Sequence, residues 1–282
     1  MGIENPLNNL NQPTQNTKKS FEEIAEVEEF DDGKIFDLKP ENPKTEVPIF
    51  FAQGWGRPTS TITEAIETLY ETNRRVVTLD HPRKGGAVDE WYKHKYPKEE
   101  LRKATSILSI LEQKKIEKAD LIAQSEGCAN AIIAATMDPK KFRNIVLVAP
   151  AGMVGKDSFL GMSARFLSEQ IKDAINKEPK AKKSTYIKGN PLRALAEVKD
   201  LSSVQIGEML KNLKAQGINI SIITGVDDKA FPIKRMQKVA NTDQLDGFYS
   251  VKGGHNQLYR YPKQYMKLAE QALTDLQNKS EK

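Results

Sequence analysis

The chain has 282 residues, 38% of them hydrophobic and 29% charged, with a net charge of +5; this is the balance of a globular protein of one α/β-type domain with room for an inserted subdomain. No Lys/Arg block is interleaved with stacking aromatics, and the longest apolar stretches, Ile145–Met153 and Ala129–Met137, are too short to span a bilayer, so a nucleic-acid partner and a membrane span are both disfavoured. The single cysteine, Cys128, excludes an internal disulfide and fits a reducing compartment. The start, Met1-Gly2-Ile3-Glu4-Asn5-Pro6, has no apolar core of a secretory signal and no Ser or Thr at position 6, which makes the cytoplasm the expected location.

Residues 1–19 are rich in Asn, Gln, Pro, Thr and Lys and are expected to be a mobile polar leader. Residues 20–39 show two extended runs around Asp32-Gly33, a hairpin signal. Strands and helices then alternate. Val47–Ala52, Arg75–Asp80, Asp120–Gln124, Asn144–Ala149, Asn219–Thr224 and Gly247–Val251 are short apolar or β-branched runs of the buried-strand kind. Amphipathic helices are predicted over about 59–73, opening on a Thr61…Glu64 capping box, over about 97–117, and over about 262–278. The pattern predicts a mostly parallel central sheet with helices on both faces, built from residues 20–152 and 201–282.

One interval breaks the alternation. Ser203–Gln216, ending at Gly217, suffices as the crossover helix before the strand at Asn219. The preceding residues, 153–200, read as an inserted helical cap. Phe159, Met162, Phe166, Leu167, Ile171 and Ile175 fall at helical spacing, a Lys/Pro/Ser loop follows, and a shorter helix starts near Pro191. The alternative is one more core-packed helix. Residues 155–215 also hold 12 Lys and Arg against 7 Asp and Glu, a surplus equal to that of the whole chain.

The chemistry centres on Ala123-Gln124-Ser125-Glu126-Gly127. An apolar strand runs into a serine between small residues, and a helix follows at once. A turn that sharp lifts the hydroxyl clear of the backbone at the helix N-terminus, as in a nucleophile elbow. The competing reading is an ordinary serine N-cap. A nucleophilic serine needs a base, and the chain has three histidines. His94 lies in a polar-aromatic stretch and reads as a surface residue. His81 follows a strand and is a lesser candidate, able to line a site. His255 follows a strand and two glycines, Gly253-Gly254, and is favoured. The base needs a carboxylate to fix its tautomer: Asp227 or Asp228, after the strand Ile220–Thr224, or Asp157 after the preceding one. The oxyanion needs backbone donors: the amide of Glu126, and one from the turn Gln53-Gly54-Trp55-Gly56.

These residues resemble the α/β-hydrolase superfamily from about residue 20 to 278. The order Ser125…Asp228…His255 matches the family's nucleophile, acid and base. Gly225-Val226-Asp227-Asp228…Pro232 resembles its G-x-x-D-x-x-x-P stretch, which selects Asp228, and Gly253-Gly254-His255 its G-x-H ending. Gln53-Gly54-Trp55-Gly56 resembles its His-Gly oxyanion segment, which implies the Trp55 amide as second donor, and Asp80–Gly86 its D-x-x-G-x-G loop. Gln53 stands where the family has His, and Ala123 where it has Gly.

The resemblance implies a serine hydrolase cleaving a carboxylic ester or related acyl bond of a small molecule through an acyl-enzyme, with no metal or organic cofactor. Gln53, His81, Phe159 and Phe166 are expected to line the substrate site, with the apolar face of the cap favouring a medium-sized hydrophobic acyl group. An aminopeptidase- or amidase-like enzyme, a thioesterase, and a non-catalytic binding protein on the same fold are the alternatives. The Glu126 side chain either binds a substrate amine or, more simply, points to solvent or to a basic group of residues 155–215.

Overall fold

The computed structural model describes residues 19–31, 33–82, 88–176, 191–240 and 245–280. The polar leader apart from Lys19, Asp32 of the hairpin turn, Arg83–Gly86 of the loop after Asp80 and the Lys/Pro/Ser loop of the cap lie outside the described residues.

A short helix, α1 (Phe21–Ile24), leads into the hairpin β1 (Ala25–Phe30) and β2 (Gly33–Leu38). There follow β3 (Ile49–Ala52), α2 (Thr63–Tyr70), β4 (Val76–Asp80), α3 (Lys98–Gln113), β5 (Ala119–Gln124), α4 (Glu126–Met137) and β6 (Phe142–Val148). Then come α5 (Phe159–Ile175), α6 (Pro191–Ser203), α7 (Gly207–Ala215), β7 (Asn219–Gly225), α8 (Ile233–Val239), β8 (Gly247–Val251), α9 (Gln257–Arg260) and α10 (Pro262–Ser280). Each predicted strand and helix is present, with ends displaced by a few residues. The capping box is not: α2 starts at Thr63, its N-cap residue Ile62 makes no side-chain cap, and the Thr61 hydroxyl donates to the Pro58 carbonyl within a 3₁₀ turn at 59–61.

The eight strands form one sheet in the order β1-β2-β4-β3-β5-β6-β7-β8, with β1/β2 and β2/β4 antiparallel and the rest parallel. Alternating residues of one strand feed two cores, as the period of two requires. Phe50, Leu121, Ala123 and Leu147 join a core with Leu101 and Ile107 of α3, Ile132 and Ile133 of α4 and Leu210 of α7. Ile49, Phe51, Ile122 and Val146 join the opposite core with Ile66 and Leu69 of α2 and Met266, Leu273 and Leu276 of α10. The chain leaves β3 toward β4 and returns to β5 on the other side of β3, a switch in direction that opens a crevice at the strand C-termini.

The N-terminal end of β5 is closed by charge. Asp120 is fully buried and accepts hydrogen bonds from Arg74 (2.6 Å), Arg143 (2.7 and 3.0 Å), Asn144 (2.9 Å) and Gln277 (3.1 Å). These donors hold its pKa below the ordinary carboxylate range even though burial opposes them.

Helices α5 and α6, from the segment read as a cap, pack on each other, and α6 also packs on α3. The apolar residues of α5 divide between two sides. Met162 is buried and Phe166 half-buried, facing inward, while Leu167, Ile171 and Ile175 are 58%, 51% and 73% exposed. The expected single apolar face is therefore not what covers the site. Apolar residues lie on opposite sides of this helix, and periodicity alone does not tell the inward side from the outward one.

Candidate active site

At the C-terminal end of β5 the backbone turns sharply into α4. Ser125 sits at the turn with φ 55° and ψ −120°, a conformation that side-chain-bearing residues rarely adopt. Its N–H donates to the Val148 carbonyl (3.0 Å). A Cβ at Gly127 would stand 2.3 Å from the Ala52 carbonyl oxygen, so only glycine lets α4 pass that close to β3. The Ser125 side chain makes no capping bond to α4. Its Oγ lies 2.9 Å from Nε2 of His255, whose Nδ1 lies 3.0 Å from Oδ2 of Asp228. All three side chains are buried. With a carboxylate facing Nδ1, that nitrogen carries the proton and Nε2 is the acceptor for the serine hydroxyl.

The structure thus brings Ser125, His255 and Asp228 together and separates the alternatives. Asp227 is exposed. Asp157 is engaged with Arg165 and lies 3.9 Å from Arg235. His94 is exposed. Asp228 is itself fixed, since its Oδ1 accepts the Phe231 N–H (2.8 Å). The imidazole is walled edge-on by Phe166 and Phe231, with ring centroids 5.4 and 5.1 Å away.

On the other side of Ser125 runs the loop after β3. Ala52 is in register with Ala123, and a Cβ on Gly54 would stand 3.1 Å from the Ser125 Cβ. Gln53 is committed to the framework: its Nε2 donates to the Leu79 carbonyl (2.7 Å) and to Asp80 (3.0 Å). The Trp55 indole N–H donates to Glu197 on α6 (2.9 Å).

Glu126 corrects the expectation of a solvent-facing side chain. It is buried and accepts a hydrogen bond from Lys103 of α3 (2.6 Å), which also pairs with Glu197 (3.3 Å). Arg193 pairs in turn with Glu197 (3.4 Å) and Glu99 (3.2 Å). Burial raises the Glu126 pKa, though Lys103 opposes it. Glu100, fully buried one turn before Lys103, is held well above the ordinary carboxyl range by burial and by the Glu126 carboxylate.

A cleft of about 480 Å³, counted with the solvent space at its mouth, opens beside the serine rather than over it. Gln53, Gly54, Gly56, Arg57, Pro58, Asp80, His81, Pro82, Lys103, Glu126 and Glu197 form its walls. His81 lines the cleft; burial first, then Lys103 and Arg193, push its pKa well below the ordinary value and keep the ring neutral. Neither Phe159, half-buried at the start of α5, nor Phe166 reaches this cleft. Sequence reasoning missed Lys103, Glu197 and Glu169, polar residues of helices that read as solvated faces. Among the described residues no group of three or more His, Cys, Asp or Glu side chains is placed to hold a metal ion, and no helix is long and apolar enough to cross a membrane.

No protein-family model and no curated protein sequence matches the chain. Solved structures do. A thermophilic esterase from Thermogutta terrifontis superposes with a TM-score of 0.63 at 15% identity, over 86% of this chain and 94% of the esterase. The enol-lactonase from Burkholderia xenovorans LB400 gives 0.60 at 14% identity, over 86% and 97%. An α/β hydrolase from the metagenome of sediments of the Mar Chica lagoon in Morocco gives 0.60 at 15% identity, over 89% and 98%. The fold of this chain is that of the α/β hydrolases.

Proposed function

We propose that this protein is a serine hydrolase that cleaves carboxylic esters of small molecules through an acyl-enzyme. The observation that carries the reading is the hydrogen-bonded line Ser125–His255–Asp228, with the serine held at φ 55° at a helix N-terminus. His255 Nε2 takes the Ser125 proton as Oγ attacks the carbonyl carbon. The Glu126 amide, aided by the positive end of the α4 dipole, and the Trp55 amide receive the oxyanion. His255 then gives its proton to the leaving alkoxide, and in the second half it activates water to free the acid. Asp228 holds the tautomer and stabilises the imidazolium throughout.

The walls of the cleft revise the substrate expected from the cap. Arg57, Asp80, His81, Lys103, Glu126 and Glu197 line it, and the aliphatic residues of α5 point outward. Short, polar acyl groups suit such walls better than long aliphatic ones. An amide or thioester substrate on the same triad is the second reading, favoured by no further observation.

A fluorophosphonate probe tests the reading. It should label the wild type at Ser125 and leave Ser125→Ala unlabelled. A p-nitrophenyl ester series from acetate to octanoate should then show kcat/KM falling with chain length. Absence of labelling, or full ester turnover by Ser125→Ala, would make this a binding protein on a hydrolase fold or place the chemistry elsewhere.

A further inference from the structure

Two carboxylates of α5 face inward: Asp173 accepts from Asn256 (2.9 Å) and Arg260 (3.1 Å), and Glu169 reaches both of the loops that carry Asp228 and His255. Glu169 is 1% exposed. Its Oε1 accepts the backbone N–H of His255 (2.9 Å), and its Oε2 accepts the backbone N–H of Lys229 (2.8 Å), the residue after Asp228. Neither of those loops belongs to the same strand connection, so a single side chain spans them. Lys172, one turn further on, pairs with Glu169 (3.2 Å) and donates to the Asp227 carbonyl (2.7 Å). The approach is so close that a Cβ at Gly254 would lie 2.0 Å from Oε1 of Glu169. A side chain at 254 would therefore displace the Glu169 carboxylate from the His255 amide. Phe166, one turn before Glu169, completes the arrangement by packing edge-on against the His255 ring (5.4 Å).

We propose that Glu169 is a positioning residue that sets the spacing of Asp228 and His255, and that α5 is therefore a fixed strut of the catalytic machinery and not a lid. The proposal rests on the triad reading above. A backbone N–H bonded to a carboxylate is a strong, directional tether. Two such bonds from one rigid helix fix the Lys229 and His255 amides with respect to each other. The His255 ring then has one place to stand, with Nδ1 on Asp228 and Nε2 on Ser125. Releasing one loop by an ångström costs on the order of 10²-fold in rate, because reacting groups must stay in attack geometry. A lid would have to break both bonds each time it opened.

The test compares wild type, Glu169→Gln and Glu169→Ala. The alanine variant should lose roughly 10- to 100-fold in kcat on p-nitrophenyl acetate with little change in KM. The glutamine variant keeps size and one acceptor oxygen but turns an NH₂ group toward the second amide, so it should fall between. It also serves if the alanine variant does not fold. The low-field proton NMR resonance of the His255 Nδ1–H, in a chain with only three histidines, gives a reading independent of turnover. It should broaden or disappear in the variants while the rest of the spectrum stays native. A merely structural glutamate would lower the melting temperature and leave both the resonance and kcat per fluorophosphonate-titrated site at wild-type values, and that result overturns the proposal. If the wild type neither labels nor hydrolyses esters, the hydrolase reading fails, and the resonance alone then decides whether Glu169 sets the His255 geometry.

Discussion

Strand β5 ends in buried charge twice, and the two ends are built on opposite principles. At its N-terminal end one carboxylate, Asp120, meets two guanidinium groups and two amides. At its C-terminal end three carboxylates, Glu100, Glu126 and Glu197, crowd around Lys103, with Arg193 behind them. The first cluster has more donors than it needs and holds its carboxyl pKa down. The second sets two cations against three carboxyl groups, and burial together with repulsion between neighbours pushes the Glu100 and Glu126 pKa values up. In an open α/β sheet the strand C-termini face the ligand, and the under-neutralised cluster is the one that borders Ser125 and the cleft. Saturated charge belongs to the frame, and unsaturated charge belongs to the site.

Replacing one residue at each end should separate these roles. The largest effect is expected from Ser125→Ala, with ester turnover down on the order of 10⁴- to 10⁶-fold and a denaturant midpoint within a few tenths of a unit molar of wild type. Asp120→Ala should do the reverse. It leaves Arg74, only 2% exposed, buried without its carboxylate, and should cost about 3–5 kcal/mol in urea unfolding while fluorophosphonate labelling per folded molecule stays normal. Normal stability in that variant would mean the N-terminal cluster is not part of the frame.

A finer test lies in pH. Asp120 is depressed below its ordinary 3.8, so its contribution is complete above that value and is lost as pH falls below it. Glu100 is raised well above its ordinary 4.5. The folded protein therefore binds more protons there than the unfolded chain does, and stability declines as pH rises from about 4.5 toward the folded value. Glu100→Gln should remove that decline, standing above wild type in stability at pH 9 and level with it at pH 4. Parallel stability curves for the two proteins across that range would show that the Glu100 pKa is not raised by folding.

The same contrast explains what was legible in the sequence. Ser125, Asp228 and His255 could be found because each follows a strand, and strand ends of a parallel sheet converge on one edge. The bonds of Glu169 could not, since they join residues 60 and 86 positions apart and nothing local marks a glutamate as buried. Glu126 misled for a related reason: its partner Lys103 lies on α3, in a helix where Glu and Lys read as a solvated face. The apolar residues of α5 gave the helix but not its orientation, because Met162 and Phe166 face inward while Leu167, Ile171 and Ile175 do not. The Thr61 cap failed because a 3₁₀ turn claimed that hydroxyl first.

The backbone at Ser125 has one more consequence. A side-chain-bearing residue at φ 55° and ψ −120° costs about 1–3 kcal/mol relative to its relaxed conformations, and glycine does not incur that cost. Two inactive variants, Ser125→Ala and Ser125→Gly, should then differ in thermal stability, the glycine form melting higher although glycine usually weakens a fold. On the proposed function, the native serine marks the point in the chain where the demands of chemistry and those of folding disagree, and where the surrounding sheet has to hold the disagreement in place.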